Sequence, residues 1–339
     1  MASTPGASQD QSLLIGSFPV PYQGVHRETS EIELPRDAVW KGENVHILEG
    51  ELRQRPSWVG VRDATVAAPP GGVINGITSA RRANTRTHFL VVGTTAGIQV
   101  LKSTGWASAH SWGATRDQWR QVRFTELALG TPLLTNLIAC NGIDAPVKIE
   151  IPASGDPGAA TALSGPPAAA LWKDVCTASD RIVGITDTEV SWGEILRLDI
   201  FPELNVKSLA ESLDLCIAVR PIGTLNVGVW KERSFWIGQA TGKSSAAYFA
   251  WKVARWVEGP ASPAALTHDS DGNWYWMTKT GRVVMMGPDF QVSFPGDGIW
   301  PITRKDISPI QAEYGVSHAV YRPFADQVWF FYGGIGVPA

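Results

Sequence analysis

Charge is scarce in this sequence. Only 18% of its 339 residues are Asp, Glu, Lys or Arg, against a usual ~25% in soluble domains. A surface of Gly, Ser, Thr and amide groups is therefore expected rather than a lattice of salt bridges. Neither sign dominates, because 29 Lys and Arg against 32 Asp and Glu leave a formal charge of -3. That balance argues against a basic nucleic-acid binder. Cys140, Cys176 and Cys216 are the three cysteines, with no close pair, which excludes a disulfide framework and a zinc site. They read as small apolar residues in reduced strands. The six His are scattered, without the i, i+4 spacing of a metal pair. Met1 to Asp10 lacks a basic-then-apolar leader, and no run approaches the ~20 apolar residues of a membrane span. The expectation is a soluble chain made in a cytoplasm, with no membrane partner.

Aromatic and turn residues, by contrast, are plentiful: 15 Trp, 34 Gly and 23 Pro. Short strands and tight turns follow from that mixture, and long helices do not. Seven stretches share one pattern, a strand, a turn with Gly, Asp or charged residues, then a second strand. They begin at Asn44, Phe89, Asn136, Asp180, Leu225, Asn273 and His318, at intervals of 45, 47, 44, 45, 48 and 45 residues. Each leaves about thirty residues before the next, room for two more short strands. Four strands in ~40–50 residues is the arithmetic of a propeller blade. A lone twisted sheet cannot cover both its faces, whereas radial stacking buries each face against the next.

The expected fold is thus all-β, a β-propeller of six or seven blades with repeats of about 45 residues. Too few residues follow the last hairpin to finish its blade. The strand candidates SLLIGSF and SEIELP, both before Asn44, are expected to complete it and close the ring. Residues 1–43 are read as an N-terminal arm with these closing strands, and residues 44–339 as one propeller domain. The Pro- and Ala-rich stretches from Ala67 and from Pro152 read as linkers between blades, with room for a short helix near Ala168 to Asp174.

Chemistry-bearing motifs reduce to turns on inspection. Gly238-Gln-Ala-Thr-Gly242-Lys243-Ser244 has three residues between its glycines. A phosphate loop needs four and a following helix, and AAYFAWKV alternates like a strand. His268-Asp269-Ser270-Asp271-Gly272 lacks the alternate oxygen ligands and distal Glu of a calcium loop and reads as an Asx turn. Asp180, Asp187, Glu189, Glu194 and Asp199 cluster in sequence, but nothing in their spacing sets the carboxylate separation that glycoside hydrolysis needs. There is no Gly-x-Ser-x-Gly. No catalytic, cofactor or metal residue is assigned, and no enzyme activity is expected. Arg81, Arg82 and Arg86 form the densest basic run, a candidate docking surface.

Several runs together carry a family resemblance. Gly50-Glu51-Leu52-Arg53-Gln54-Arg55-Pro56 resembles the Gly-x-Leu-x-x-Arg-Pro run near the start of bacteriophage tail nozzle and tubular-B-like virion proteins. Asp180 to Val183 followed by Val190-Ser191-Trp192 is similar to their strand and Val-x-Trp-Ser segment, with Ser placed before Trp here. Gly228-Val229-Trp230-Lys231-Glu232-Arg233-Ser234-Phe235-Trp236-Ile237 resembles their Val-Phe-Lys-Glu-Arg-Ser-x-Trp hairpin, and runs at Gly259 to Pro263 and Asp271 to Trp276 follow in order. The resemblance spans roughly residues 40 to 332.

It implies a virion structural protein of the tail or neck, a homo-oligomeric ring on the tail axis. Its neighbours would be portal, adaptor or other tail proteins, and it would seal, carry fibres or give transient passage to DNA. A conduit of that kind wants no strong positive lining. Lys231, Glu232 and Arg233, read as a polar hairpin tip, join Arg81, Arg82 and Arg86 as candidate subunit-interface residues. A cellular propeller scaffold and a propeller glycosidase are the readings left beside this one.

Overall fold

The computed structural model describes the strands Val45–Leu48 and Glu51–Gln54 and most of residues 69–332, with short breaks at 71, 84, 86, 114–120, 131–133, 167–169, 244–247, 299, 308–316 and 324–325. The chain divides into two compact units, residues 1–62 and 63–339. In the first, Val45–Leu48 and Glu51–Gln54 form an antiparallel hairpin in which Leu48 faces Glu51. The proposed closing strands before Asn44 lie outside the described residues.

In the second unit, five four-stranded antiparallel sheets follow one another, each with its strands in simple chain order. Sheet A holds residues 74–111, B 123–162, C 174–208, D 216–256 and E 266–293. Sheet F has the strands His318–Arg322 and Gln327–Phe331. The hairpins read at Phe89, Asn136, Asp180, Leu225 and Asn273 are the second and third strands of sheets A to E. The one at His318 instead pairs the first two strands of sheet F. The even spacing across that step joins strands of different rank, since the first strands of E and F begin at Leu266 and His318.

The sheets stack because their middle strands are apolar on both faces. In Leu134–Cys140, Leu137 and Ala139 enter a core shared with Phe89, Val91 and Ile98 of sheet A. Ile138 and Cys140 enter a second core with Val175 and Ile182 of sheet C. This is period-2 alternation with both faces buried. Cores between C and D and between D and E repeat the arrangement. Buried aromatics fill these wedges, among them Trp172, Trp192, Trp230, Trp236 and Trp276.

The first strands lie side by side and run the same way. Val122 N–H donates to the Asn75 carbonyl at their start, and Arg81 N–H to Glu126 near the finish. Thr125 meets Thr177 at 3.0 Å, and Ser179 Oγ donates to the Leu225 carbonyl at 3.0 Å. Ser262, ahead of sheet E, reaches Ser317, ahead of sheet F. This propeller-like order gives the stack an entry end, where first strands begin, and an exit end, where they finish.

Two readings need correction. The Pro/Ala-rich stretch from Pro152 is more than a linker, for Thr161–Ala162 pairs with Val147 and Lys148 as the edge strand of sheet B. Near Ala168 to Asp174 the described residues form no helix. Trp172 is fully buried there and donates from its indole to Ser191. The α-helix described is the seven-residue Trp300–Asp306.

Candidate functional site

The Lys231-Glu232-Arg233 hairpin closes the second and third strands of sheet D, Asn226–Lys231 and Ser234–Ala240. Trp230 pairs with Phe235, leaving Glu232 and Arg233 as a two-residue turn. The expected tip of three exposed charges is wrong for Lys231, which is 0% exposed. Its ammonium is 2.9 Å from the Asp214 carboxylate and donates to the Leu209 carbonyl. Burial of an ammonium is tolerable only with such partners. Asp214 also accepts from Arg233 N–H and Ser234 Oγ, each at 3.0 Å. One buried carboxylate thereby ties the hairpin turn to the connection that enters sheet D. Glu232 is half-buried and pairs with Lys279 at 3.2 Å. Of the three, only Arg233 is exposed.

Arg81 is exposed at the end of Ile74–Arg81, its guanidinium donating locally to the Thr85 carbonyl. Arg82 is committed within the subunit. It donates to the carbonyls of Pro152 and Gly155 in sheet B's outer connection and lies 5.2 Å from the Phe89 ring centroid. A role for Arg82 as a free docking charge is therefore corrected to a clamp between sheets A and B. Arg86 lies outside the described residues. The Arg81 loop joins first and second strands, at the exit end, whereas the Arg233 turn joins second and third strands, at the entry end. The two basic patches sit at opposite ends of the stack.

A second polar centre was not visible in the sequence. Asp174 opens the first strand of sheet C, is fully buried, and collects donors from both flanking sheets. Arg123 Nε of sheet B donates at 3.1 Å. Val219 N–H of sheet D donates at 3.0 Å, and the Arg220 guanidinium binds the same oxygen. Arg220 also donates to the Pro263 carbonyl ahead of sheet E at 2.6 Å. Three consecutive sheets are thus joined through one carboxylate, whose single charge is shared by two arginines, and Arg220 carries the link on to the segment ahead of sheet E. The available signal was a lone acid heading the apolar run Asp174-Val-Cys-Thr-Ala, a pattern shared with too many turns to be read alone.

The motifs set aside as turns are turns. Thr241 to Lys243 begins the connection between Ser234–Ala240 and Phe249–Trp256, which pair along their length. Asp269 Oδ1 accepts from Asp271 N–H and Asn273 N–H, each at 2.9 Å. Three of the five clustered carboxylates go to separate cations: Asp187 to Lys173, Glu194 to Arg181, Asp199 to Arg197. Among the described residues no His/Cys/Asp/Glu group is placed to hold a metal.

Asp269 and Asp326 border an open cleft of about 450 Å³ between sheets E and F, with Tyr275 and Tyr321. Each tyrosine hydroxyl donates to a carboxylate, Tyr275 to Asp269 at 3.1 Å and Tyr321 to Asp326 at 3.0 Å. Burial, then the Asp269 hydrogen bond, pushes the Tyr275 phenol up to about 12. Burial pushes the Asp269 carboxyl up, but the hydrogen bonds from Asn273, Tyr275 and Asp271 outweigh it and hold the group below its ordinary value. At neutral pH the pair is a neutral phenol on a carboxylate.

No protein-family model and no curated protein matches the chain. Among solved structures, the chain is similar to the extracellular domain of a hybrid two-component system from Bacteroides thetaiotaomicron, with a TM-score of 0.48 at 9% identity. That match covers 86% of this chain and 36% of the other, so the chain spans about a third of that protein's length. It is also similar to YCF48 from Cyanidioschyzon merolae, with a TM-score of 0.42 at 11% identity, covering 68% of this chain and 74% of the other.

Proposed function

We propose that this chain is a bacteriophage virion structural protein of the tail or neck, a β-propeller of six or seven blades that acts mechanically in a homo-oligomeric ring and has no catalytic turnover. One observation carries the reading. The residues of the Trp230 to Trp236 motif, on which the family resemblance rests most, serve structural ends. Trp230 and Phe235 fill the core toward sheet E, Trp236 fills the core toward sheet C, and Lys231 and Ser234 are clamped by Asp214. A motif that anchors a hairpin on three sides fits a load-bearing part.

Ring closure belongs to the same reading. In it, N-terminal strands complete the last blade. Portal or adaptor rings are the partners, the virion is the location, and no cofactor is needed.

Mass spectrometry of purified particles, with electron microscopy of the purified protein, tests this. Stoichiometric presence in particles and ring-shaped oligomers are expected. Absence from particles, or turnover on glycoside or nucleotide substrates that is lost on changing Asp180 or Glu194, overturns it.

A further inference from the structure

The entry and exit ends of sheets C and D each display apolar side chains held rigidly in water. At the entry end, Leu213 is 95% exposed in the left-handed backbone region, φ 55°. A leucine pays for that conformation and gains nothing from burial within the chain. Its neighbour Asp214 is the buried carboxylate that holds Lys231, Arg233 N–H and Ser234. Leu215, also exposed, is tied through its carbonyl to Glu232 N–H. The knob is therefore fixed before any partner arrives, and Arg233 stands beside it.

At the exit end the same sheets show the counterpart. Leu196 has φ 51° and is 49% exposed, with Ile195 at 50% and Leu225 at 57%. Leu196 N–H donates to the Asp180 carbonyl at 2.8 Å, and Ser179 Oγ donates to the Leu225 carbonyl, so these residues form one surface around Asp180. Most charges nearby are satisfied within the chain. Lys207 pairs with Glu211 and Glu232 with Lys279 at the entry end, and Arg181 with Glu194 and Arg197 with Asp199 at the exit end. Among the described residues, the Arg233 guanidinium beside Leu213 and the Asp180 carboxylate beside Leu196 have no such partner, as is also true of exposed Glu189 at the entry end and of exposed Glu203 and Lys243 at the exit end. The Leu213 and Leu196 surfaces thus each set apolar side chains beside an unpaired charge, and the Arg233 and Asp180 charges are opposite.

We infer that the entry-end surface of one copy, Leu213, Leu215 and Arg233, docks on the exit-end surface of a second copy, Ile195, Leu196, Leu225 and Asp180. This inference rests on the self-association in the proposed function and names its contact. The two surfaces are different patches, about 20 Å apart across the seven-residue strand Cys216–Ile222. The contact is heterologous, and it closes into a ring when the rotation per copy divides the circle. Desolvated leucines supply the affinity, while the Arg233–Asp180 pair sets polarity and register.

Sedimentation velocity across a concentration series decides it, using full-length wild type, Leu213→Asn, Arg233→Asp and Asp180→Arg. Asn tolerates the left-handed backbone, so Leu213→Asn is expected to keep the wild-type melting temperature. Each variant should weaken self-association by about tenfold or more, and an equimolar mixture of Arg233→Asp with Asp180→Arg should recover most of the loss. Variants that associate like wild type, or a mixture that does not recover, overturn these surfaces while self-association stands. A wild type that stays monomeric throughout overturns both.

Discussion

Trp230 and Trp236 belong to one hairpin and lie on opposite faces of its sheet. The two-residue turn pairs Trp230 with Phe235 and Val229 with Trp236. Paired residues share a face, so Trp230 and Phe235 pack toward sheet E while Val229 and Trp236 pack toward sheet C. Their even separation would have put them on one face of an unbroken strand. Each Trp→Ala change is expected to cost about 3–5 kcal/mol. Because the two rings fill different cores, the double mutant should lie near the sum. Urea denaturation of the three variants checks this, and strong non-additivity would mean the cores are coupled.

Lys231→Met strands the Asp214 carboxylate in the interior. Breaking a buried pair from one side costs about 3–5 kcal/mol, far more than the ~0–1 kcal/mol of an exposed pair. Arg233→Met, an exposed change on the same turn, should leave thermal stability almost untouched. Equal melting temperatures for the two variants would contradict the burial of Lys231.

Asp174→Ala removes the shared acceptor of Arg123, Val219 and Arg220. A loss of at least about 3 kcal/mol is expected, because two guanidiniums and one amide lose their partner together. Hydrogen exchange should speed up in sheets B and D as well as in C. Faster exchange confined to sheet C would show that the carboxylate does not couple the sheets.

All three thiols are buried, and burial raises each pKa, that of Cys216 to about 12 and those of Cys140 and Cys176 upward in the same sense. Native protein at pH 8 should therefore resist iodoacetamide, with all three sites reacting only after denaturation. The folded values lie above those of the unfolded chain, near 8.5. The stability this represents is complete below that pH and is lost as pH rises toward 12. Denaturation midpoints should fall through that window and stay flatter in a Cys140→Ala/Cys176→Ala/Cys216→Ala variant.

Gly184 sits in the middle strand of sheet C, where a Cβ would come within 2.2 Å of the Trp172 ring. Gly184→Ala should cost about 1–3 kcal/mol through overpacking and perturb Trp172 fluorescence. An unchanged melting temperature and spectrum would place the ring elsewhere.

The sequence by itself determined the class of fold, because period-2 alternation and recurrent turns are local properties. Second strands such as Asn226–Lys231 lie close to their expected starts, and the Asx turn at Asp269 follows from its own five residues. Only the tertiary structure decided where the charges went. Lys231, Glu232 and Arg233 are adjacent in sequence, yet one is buried, one half-buried and one exposed. The difference comes from Asp214, 17 residues before Lys231 in the chain, and from the connection into sheet D that carries it. Asp174 meets Arg123 and Arg220 across gaps of 51 and 46 residues, distances over which no local pattern specifies a partner. The rank of the His318 strand was hidden for the same reason. Hairpins of equal spacing look alike until neighbouring sheets fix which strand lies innermost, since burial and ion pairing are set by what packs against a residue rather than by what precedes it.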